Sequence, residues 1–167
     1  MSESNFKRAG FIRRLAAMVY DALIAVAVGM LAALILIGVL TALLENGVLS
    51  KQGYEHVNDL IQGSVVYKGV IQAWVVLWVS CFFLWFWKHG GQTLGMRAWR
   101  LRLFNLHSDT EKPIGYGKLI LRLLASLGGL GTLLVLLDFK SKLALQDRVA
   151  GTQMLVLSKE ENHHKNW

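Results

Sequence analysis

The sequence predicts an all-α integral membrane protein: two transmembrane helices, a third apolar segment broken by glycines, and a short cytoplasmic β pair. Three observations carry this reading. Of 167 residues, 54% are apolar and only 17% charged, too little polar surface for the water-facing shell of a soluble chain this size. The apolar residues are gathered into runs long enough to cross hydrocarbon. The basic residues, 18 Lys plus Arg against 11 Asp plus Glu, abut those runs. A net charge of +7 placed this way suits a membrane surface, and nucleic-acid binding is not expected.

The first run, Ala22 to Leu44, holds 23 residues without a charge. About 20 residues at 1.5 Å each cross the hydrocarbon core, so this run spans with some tilt. Lys7, Arg8, Arg13 and Arg14 precede it, as in a signal peptide. The run is far longer than a signal-peptide core, however, and no small-x-small cleavage pattern follows. The second run, Val70 to Trp87, is also uncharged. Its Trp74, Trp78, Trp85 and Trp87 suit interfacial belts, Lys88 and His89 close it, and Gly90 and Gly91 break it.

A third run, Leu119 to Leu137, carries Arg122 near its start and Gly128, Gly129 and Gly131 at its middle. It reads either as a full span or as two half-helices meeting at a glycine hinge. The spans are thus expected at about 16–44, 68–87 and 117–137, in one membrane domain over 9–157 followed by a polar tail, 158–167.

Charge sets the expected orientation. Residues 1–15 carry four Lys/Arg and residues 88–118 six, whereas 45–69 carry two against three acids. By the positive-inside rule the N-terminus and the 88–118 loop are cytoplasmic, and the Glu45, Glu55 and Asp59 loop lies outside. A full third span would export the five Lys/Arg of 138–167. A re-entrant or interfacial segment, tolerated where protein buries broken helices, keeps them inside, and a cytoplasmic C-terminus is the expectation.

Trp99 to Leu103 alternates apolar and basic residues, the period of a half-exposed strand. Residues 105–113 read as a polar turn. The apolar Met154 to Leu157 can pair with the first strand if both lie on one side. Cys81, alone in an apolar run, reads as a small filler rather than a disulfide or metal ligand. His163 and His164 belong to a solvated tail more readily than to a metal site. Gln72 and Ser80 share a face of the second helix and suit interhelical glue.

Charges at membrane depth are the informative residues. Asp21 follows Arg14 by seven residues, on the same helix face. With Ala17, Ala25, Gly29 and Ala33 it forms a small-residue face fit for close helix approach. A carboxylate deep in a span costs about 2.5 kcal/mol or more, so it seeks a partner or a wet cavity. Arg14 is about 10 Å away along the axis. Two readings stand for Asp21: a group that fixes packing near the interface, or a site that binds and releases a cation or proton. Asp147 likewise reads either as a local partner of Arg148 or helix cap, or as the partner of Arg14. In the latter arrangement Arg122 or Arg148 approaches Asp21.

Three motifs stand in order around these spans: Ala9-Gly10-Phe11-Ile12-Arg13-Arg14-Leu15-Ala16-Ala17 with Asp21; Gly91-Gln92-Thr93-Leu94-Gly95-Met96-Arg97 with Leu101-Arg102-Leu103; and Gln146-Asp147-Arg148-Val149-Ala150-Gly151-Thr152. Together they resemble the RDD family of bacterial membrane proteins, named for an arginine and two aspartates, over roughly Ala9 to Leu157. The resemblance implies that Arg14, Asp21 and Asp147 are the naming residues. Gln146 stands where many relatives are expected to carry histidine. It also implies a bacterial cytoplasmic (inner) membrane location and a transport role, including cation/proton antiport in some members.

Two functions follow as expectations. One is a transporter or transporter component for a small cation or proton, with Asp21 and Asp147 titrating and Arg14, Arg122 and Arg148 completing a charge network. It would be a homo-oligomer packed through Ala25, Gly29 and Ala33. The other is a non-transporting module for assembly, anchoring or partner binding. No nucleophile–base pair, metal cluster or phosphate loop appears, since Gly128-Gly129-Leu130-Gly131 lacks a P-loop lysine. Neither an enzyme nor a cofactor is expected, and the lipid bilayer is the first partner.

Overall fold

The computed structural model describes residues 6–106, 113–138 and 141–162. The elements run α1 (Phe11–Glu45), α2 (Val57–Gly63), α3 (Val65–His89), α4 (Leu94–Ala98), β1 (Leu101–Asn105), α5 (Tyr116–Ala125), a 3-10 stretch (Leu127–Leu133), α6 (Leu134–Leu137), α7 (Leu145–Ala150) and β2 (Thr152–Val156). His163 and His164 lie outside the described residues, as does most of the 105–113 turn.

Helix α1 has 35 residues, about 52 Å of helix, well over the roughly 30 Å of a hydrocarbon core. The uncharged part from Ala22 is long enough to cross alone; on the turns before it Arg14, Ala17 and Asp21 are buried, while Ile12, Leu15 and Val19 are exposed. Helix α3, with 25 residues, also has the length and apolarity to span. The third run is not one straight helix. Tyr116–Ala125 and Leu127–Leu137 meet at 82°, and the break falls at Gly128 (φ 65°) and Gly129 (φ 105°). Those left-handed values are open to glycine at little cost.

The chain divides into two compact units, Met1–Leu23 with Phe82–Trp167, and Ile24–Cys81. In the second unit Gly29 faces α3, where a Cβ would stand 3.2 Å from Val75 and 3.7 Å from Val79. Trp74 Nε1 donates to Ala32 O at 3.1 Å. The small-residue face through Gly29, with Ala25 and Ala33 half-buried beside it, is therefore occupied within the chain. A contact between copies through that face, as the sequence suggested, would have to displace α3. Leu44, Val57 and Leu60 form a small buried cluster in the connection. Cys81 is exposed on α3.

The first unit is built on the β pair. Strands β1 and β2 are antiparallel, with Leu101 opposite Val156, Leu103 opposite Met154 and Asn105 opposite Thr152. The period-2 pattern works as expected: Leu101, Leu103 and Asn105 are buried while Arg102 and Phe104 are half-exposed. Trp99 is not in the strand; it ends α4, and Arg100 turns the chain at φ 57°. On the other edge of β2, Ala9 N donates to Met154 O and Val156 N to Lys7 O, each at 2.9 Å. Residues 7–9, β2 and β1 thus lie side by side. Ala9, Ala17, Met96, Leu101, Leu103, Ile114, Leu119 and Met154 make the core beneath them.

Candidate functional site

Asp147 is the centre of a buried charge cluster. It sits in the first turn of α7, where Oδ2 reaches back to accept from Ala144 N at 3.1 Å, and Gly151 in the left-handed conformation turns the chain into β2. Arg14, from the first turn of α1, donates Nη1 to Asp147 Oδ2 at 2.6 Å. Arg122, from the last turn of α5, donates Nη1 to Asp147 Oδ1 at 2.5 Å and to Thr152 Oγ1 at 2.7 Å. The exposures are 2%, 2% and 0% for Arg14, Arg122 and Asp147.

Two cations around one anion leave an excess positive charge, which backbone carbonyls offset. Arg14 Nε donates to Ala9 O and Nη2 to Lys142 O, both at 3.1 Å. The Arg122 guanidinium lies 5.5 Å from the ring centre of Trp87, a cation–π distance. Burial works against a charged Asp147, but the guanidiniums of Arg122 and then Arg14, with the Arg122 and Ala144 hydrogen bonds, hold its carboxyl below the usual carboxylate range. A carboxylate so engaged stays ionised and does not exchange a proton at neutral pH.

Asp21, two turns after Arg14 on α1, has a different environment. It is buried, and its partners are the Thr93 hydroxyl, 2.5 Å from Oδ2, and Gly95 N, 2.8 Å from Oδ1. No basic side chain approaches it among the described residues. Thr93 is the N-cap of α4, its oxygen also accepting from Met96 N, so Asp21 plugs the start of that helix. Gly95 is required by the approach: a Cβ there would stand 2.3 Å from Ala17 O and 2.8 Å from Asp21 Cγ.

The structure therefore brings Arg14, Arg122 and Asp147 together and leaves Asp21 apart from all three. Arg122 does not approach Asp21, because α5 carries it onto Asp147. Arg148 points outward and pairs with Asp138 at 2.6 Å. Asp138 also accepts from the Ser141 hydroxyl and from Ser141 N; these bonds and Arg148 hold it below the usual range. Gln146 Nε2 donates to Thr132 Oγ1 at 2.9 Å. Among the described residues no group of three or more His, Cys, Asp or Glu could hold a metal.

Sequence reasoning named Thr93, Gly95 and Thr152 only as motif residues and Trp87 only as a belt residue, without a place in the site, and did not single out Asp138. One signal was present for the first pair: Thr93 just before an apolar stretch is a helix start. Nothing local indicates that the cap would receive a carboxylate 72 residues earlier.

Two helices long and apolar enough to span, the first holding Arg14 in the buried cluster and Asp21 against the start of α4, define a multi-pass membrane domain. The RDD family profile matches residues 8–151, and the chain belongs to that family. No curated protein and no solved structure matches it.

Proposed function

We propose that this chain is a transporter, or the membrane component of one, for a proton or small cation, and that Asp21 is the group that binds and releases the ion. One observation carries the reading: Asp21 is a buried carboxylate on a spanning helix that meets a hydroxyl and an amide but no cationic side chain among the described residues. Ionisable groups at membrane depth usually mark ion or proton pathways. The Thr93 hydroxyl fits this role because it can donate to the carboxylate or accept from the carboxylic acid with the oxygens left in place. Asp147, clamped by Arg14 and Arg122, is the fixed charge that positions α5 and α7 on α1.

Two spans enclose little, so transport calls for further copies joined through a surface other than the Gly29 face. The basic N-terminus supports a cytoplasmic start, and the family an inner membrane of bacteria. No catalytic step is assigned.

A second reading is a non-transporting module for assembly or anchoring. Its support is that Asp21 already braces the start of α4 by accepting from Gly95 N and the Thr93 hydroxyl, a structural duty. Reconstituted full-length protein separates the two. The transport reading expects Na⁺, K⁺ or Li⁺ flux driven by a pH gradient in wild type and its loss in Asp21→Asn. Full flux in the mutant would remove Asp21 from the pathway; no flux in wild type would favour the module.

A further inference from the structure

We infer that residues 116–137 do not cross the bilayer but lie in a single leaflet, their leucine face set among its acyl chains, with the chain before and after them on one side of the membrane. The inference rests on the membrane reading of this domain and is independent of transport.

The two ends of the segment are tied to the same few residues. At the entry, Ile114 O accepts from Lys88 Nζ at 3.1 Å, Lys118 Nζ donates to Asn105 Oδ1 of β1 at 2.9 Å, and Leu119 is in the core with Ala9 and Leu101. At the exit, Ser141 O accepts from Arg8 Nη1 and Lys142 O from Arg14 Nη2, each at 3.1 Å. Residues 8–14 therefore share a core with the start, through Ala9, and hydrogen-bond the finish, through Arg8 and Arg14. A crossing separates its ends by roughly 30 Å of hydrocarbon, whereas Ala9, in the core with the entry, lies in sequence between Arg8 and Arg14, which hold the exit.

The interior of the segment agrees. The 82° bend at its glycines turns the chain back. Thr132 beyond the bend meets Gln146, and Arg122 before it meets Asp147, so both arms flank α7. Gly131 allows that return: a Cβ would stand 2.5 Å from Gln146 Oε1 and 2.8 Å from Ala125 O.

Lipid is the occupant that the outer face fits. Leu124, Leu127, Leu130 and Leu137 are 60–79% exposed, and no acidic residue occurs from 116 to 137. Exposed Ile12, Leu15 and Val19 of α1, in the same unit, extend the apolar surface on the helix that goes on to span. Exposed Lys118 and Lys142 supply charges suited to anionic headgroups, while Arg148 is paired with Asp138. Apolar surface with a basic border is the pattern of an interfacial element.

Full-length protein in vesicles tests this, on a Cys81→Ala background with single cysteines Lys7→Cys, Leu124→Cys, Leu130→Cys and Ser158→Cys. Expected are modification of positions 7 and 158 by an impermeant maleimide from one and the same side, and strong quenching of a fluorophore at 124 or 130 by brominated lipids. Modification of 7 and 158 from opposite sides would overturn the inference. So would labelling of 130 from the side opposite position 7. Weak lipid quenching at both leucines would assign the face to protein, a second copy or a partner, and would overturn the lipid contact.

Discussion

Arg14 and Asp147, 133 residues apart in the chain, meet at 2.6 Å with neither side chain more than 2% exposed. This contact, doubled by Arg122, fixes the last helix of the domain to the first turn of the first span.

Removing the anion strands two buried guanidiniums. Asp147→Asn should cost about 3–5 kcal/mol, the range for breaking a buried ion pair from one side, read as a lowered unfolding temperature in detergent. A triple change that also replaces Arg14 and Arg122 with apolar residues of similar length should recover part of the loss.

The pH dependence has a definite sign. Asp147 has a folded-state value held below the usual range, by charges and hydrogen bonds that outweigh burial. Its contribution is therefore full above the unfolded value of about 3.9 and is lost as pH falls through the lower folded value. The stability gap between wild type and Asp147→Asn should stay constant from pH 7 to 5 and narrow only below about pH 4. A gap that closes between pH 7 and 5 would contradict the clamp.

Arginine geometry should matter at position 14 and not at 148. Arg14 uses three nitrogens on three acceptors, and a lysine reaches one direction at a time. Arg14→Lys should cost about 1–3 kcal/mol for each buried carbonyl it abandons. Arg148 is half-exposed with one ionic partner, and Arg148→Lys should stay within about 0.5 kcal/mol. Thermal unfolding of the two variants side by side checks this.

Gly95→Ala tests the seat of Asp21. The added methyl meets Ala17 backbone oxygen at 2.3 Å, which cannot move without α1, so a loss of at least about 1–3 kcal/mol is expected. Gly117→Ala, with nothing within 4 Å and a helical position, should be neutral or gain up to about 1 kcal/mol. Equal effects would mean that α4 does not pack on α1 this closely.

Much of this was legible because hydrophobic length and charge bias are local signals. The uncharged run after Asp21, the aromatic run ending at Trp87 and the glycines at 128–131 mark the two long helices and the bend. The alternation through Arg102 and the apolar stretch at Met154 mark the strands. The partners of buried charges were less legible, because they depend on how the chain returns. Unlike charges at equal depth bring Arg14 to mind for Asp147, but they equally suggest Arg122 for Asp21. Only the fold of α5 onto α7 decides that Arg122 joins Asp147. The acceptor role of Asp21 toward Gly95 N is a backbone contact and leaves no charge pattern.

The proposed function divides the two acids: Asp147 is clamped between two guanidiniums, whereas Asp21 meets no cationic side chain among the described residues. A hydrophobic carbodiimide reacts with protonated carboxyl groups within membranes, and mass spectrometry maps the adduct. On the transport reading, labelling wild-type protein in vesicles should modify Asp21, with protection by Na⁺, K⁺ or Li⁺, and should leave Asp147 untouched. An adduct at Asp147, or none at Asp21 across pH 6 to 8, would contradict it.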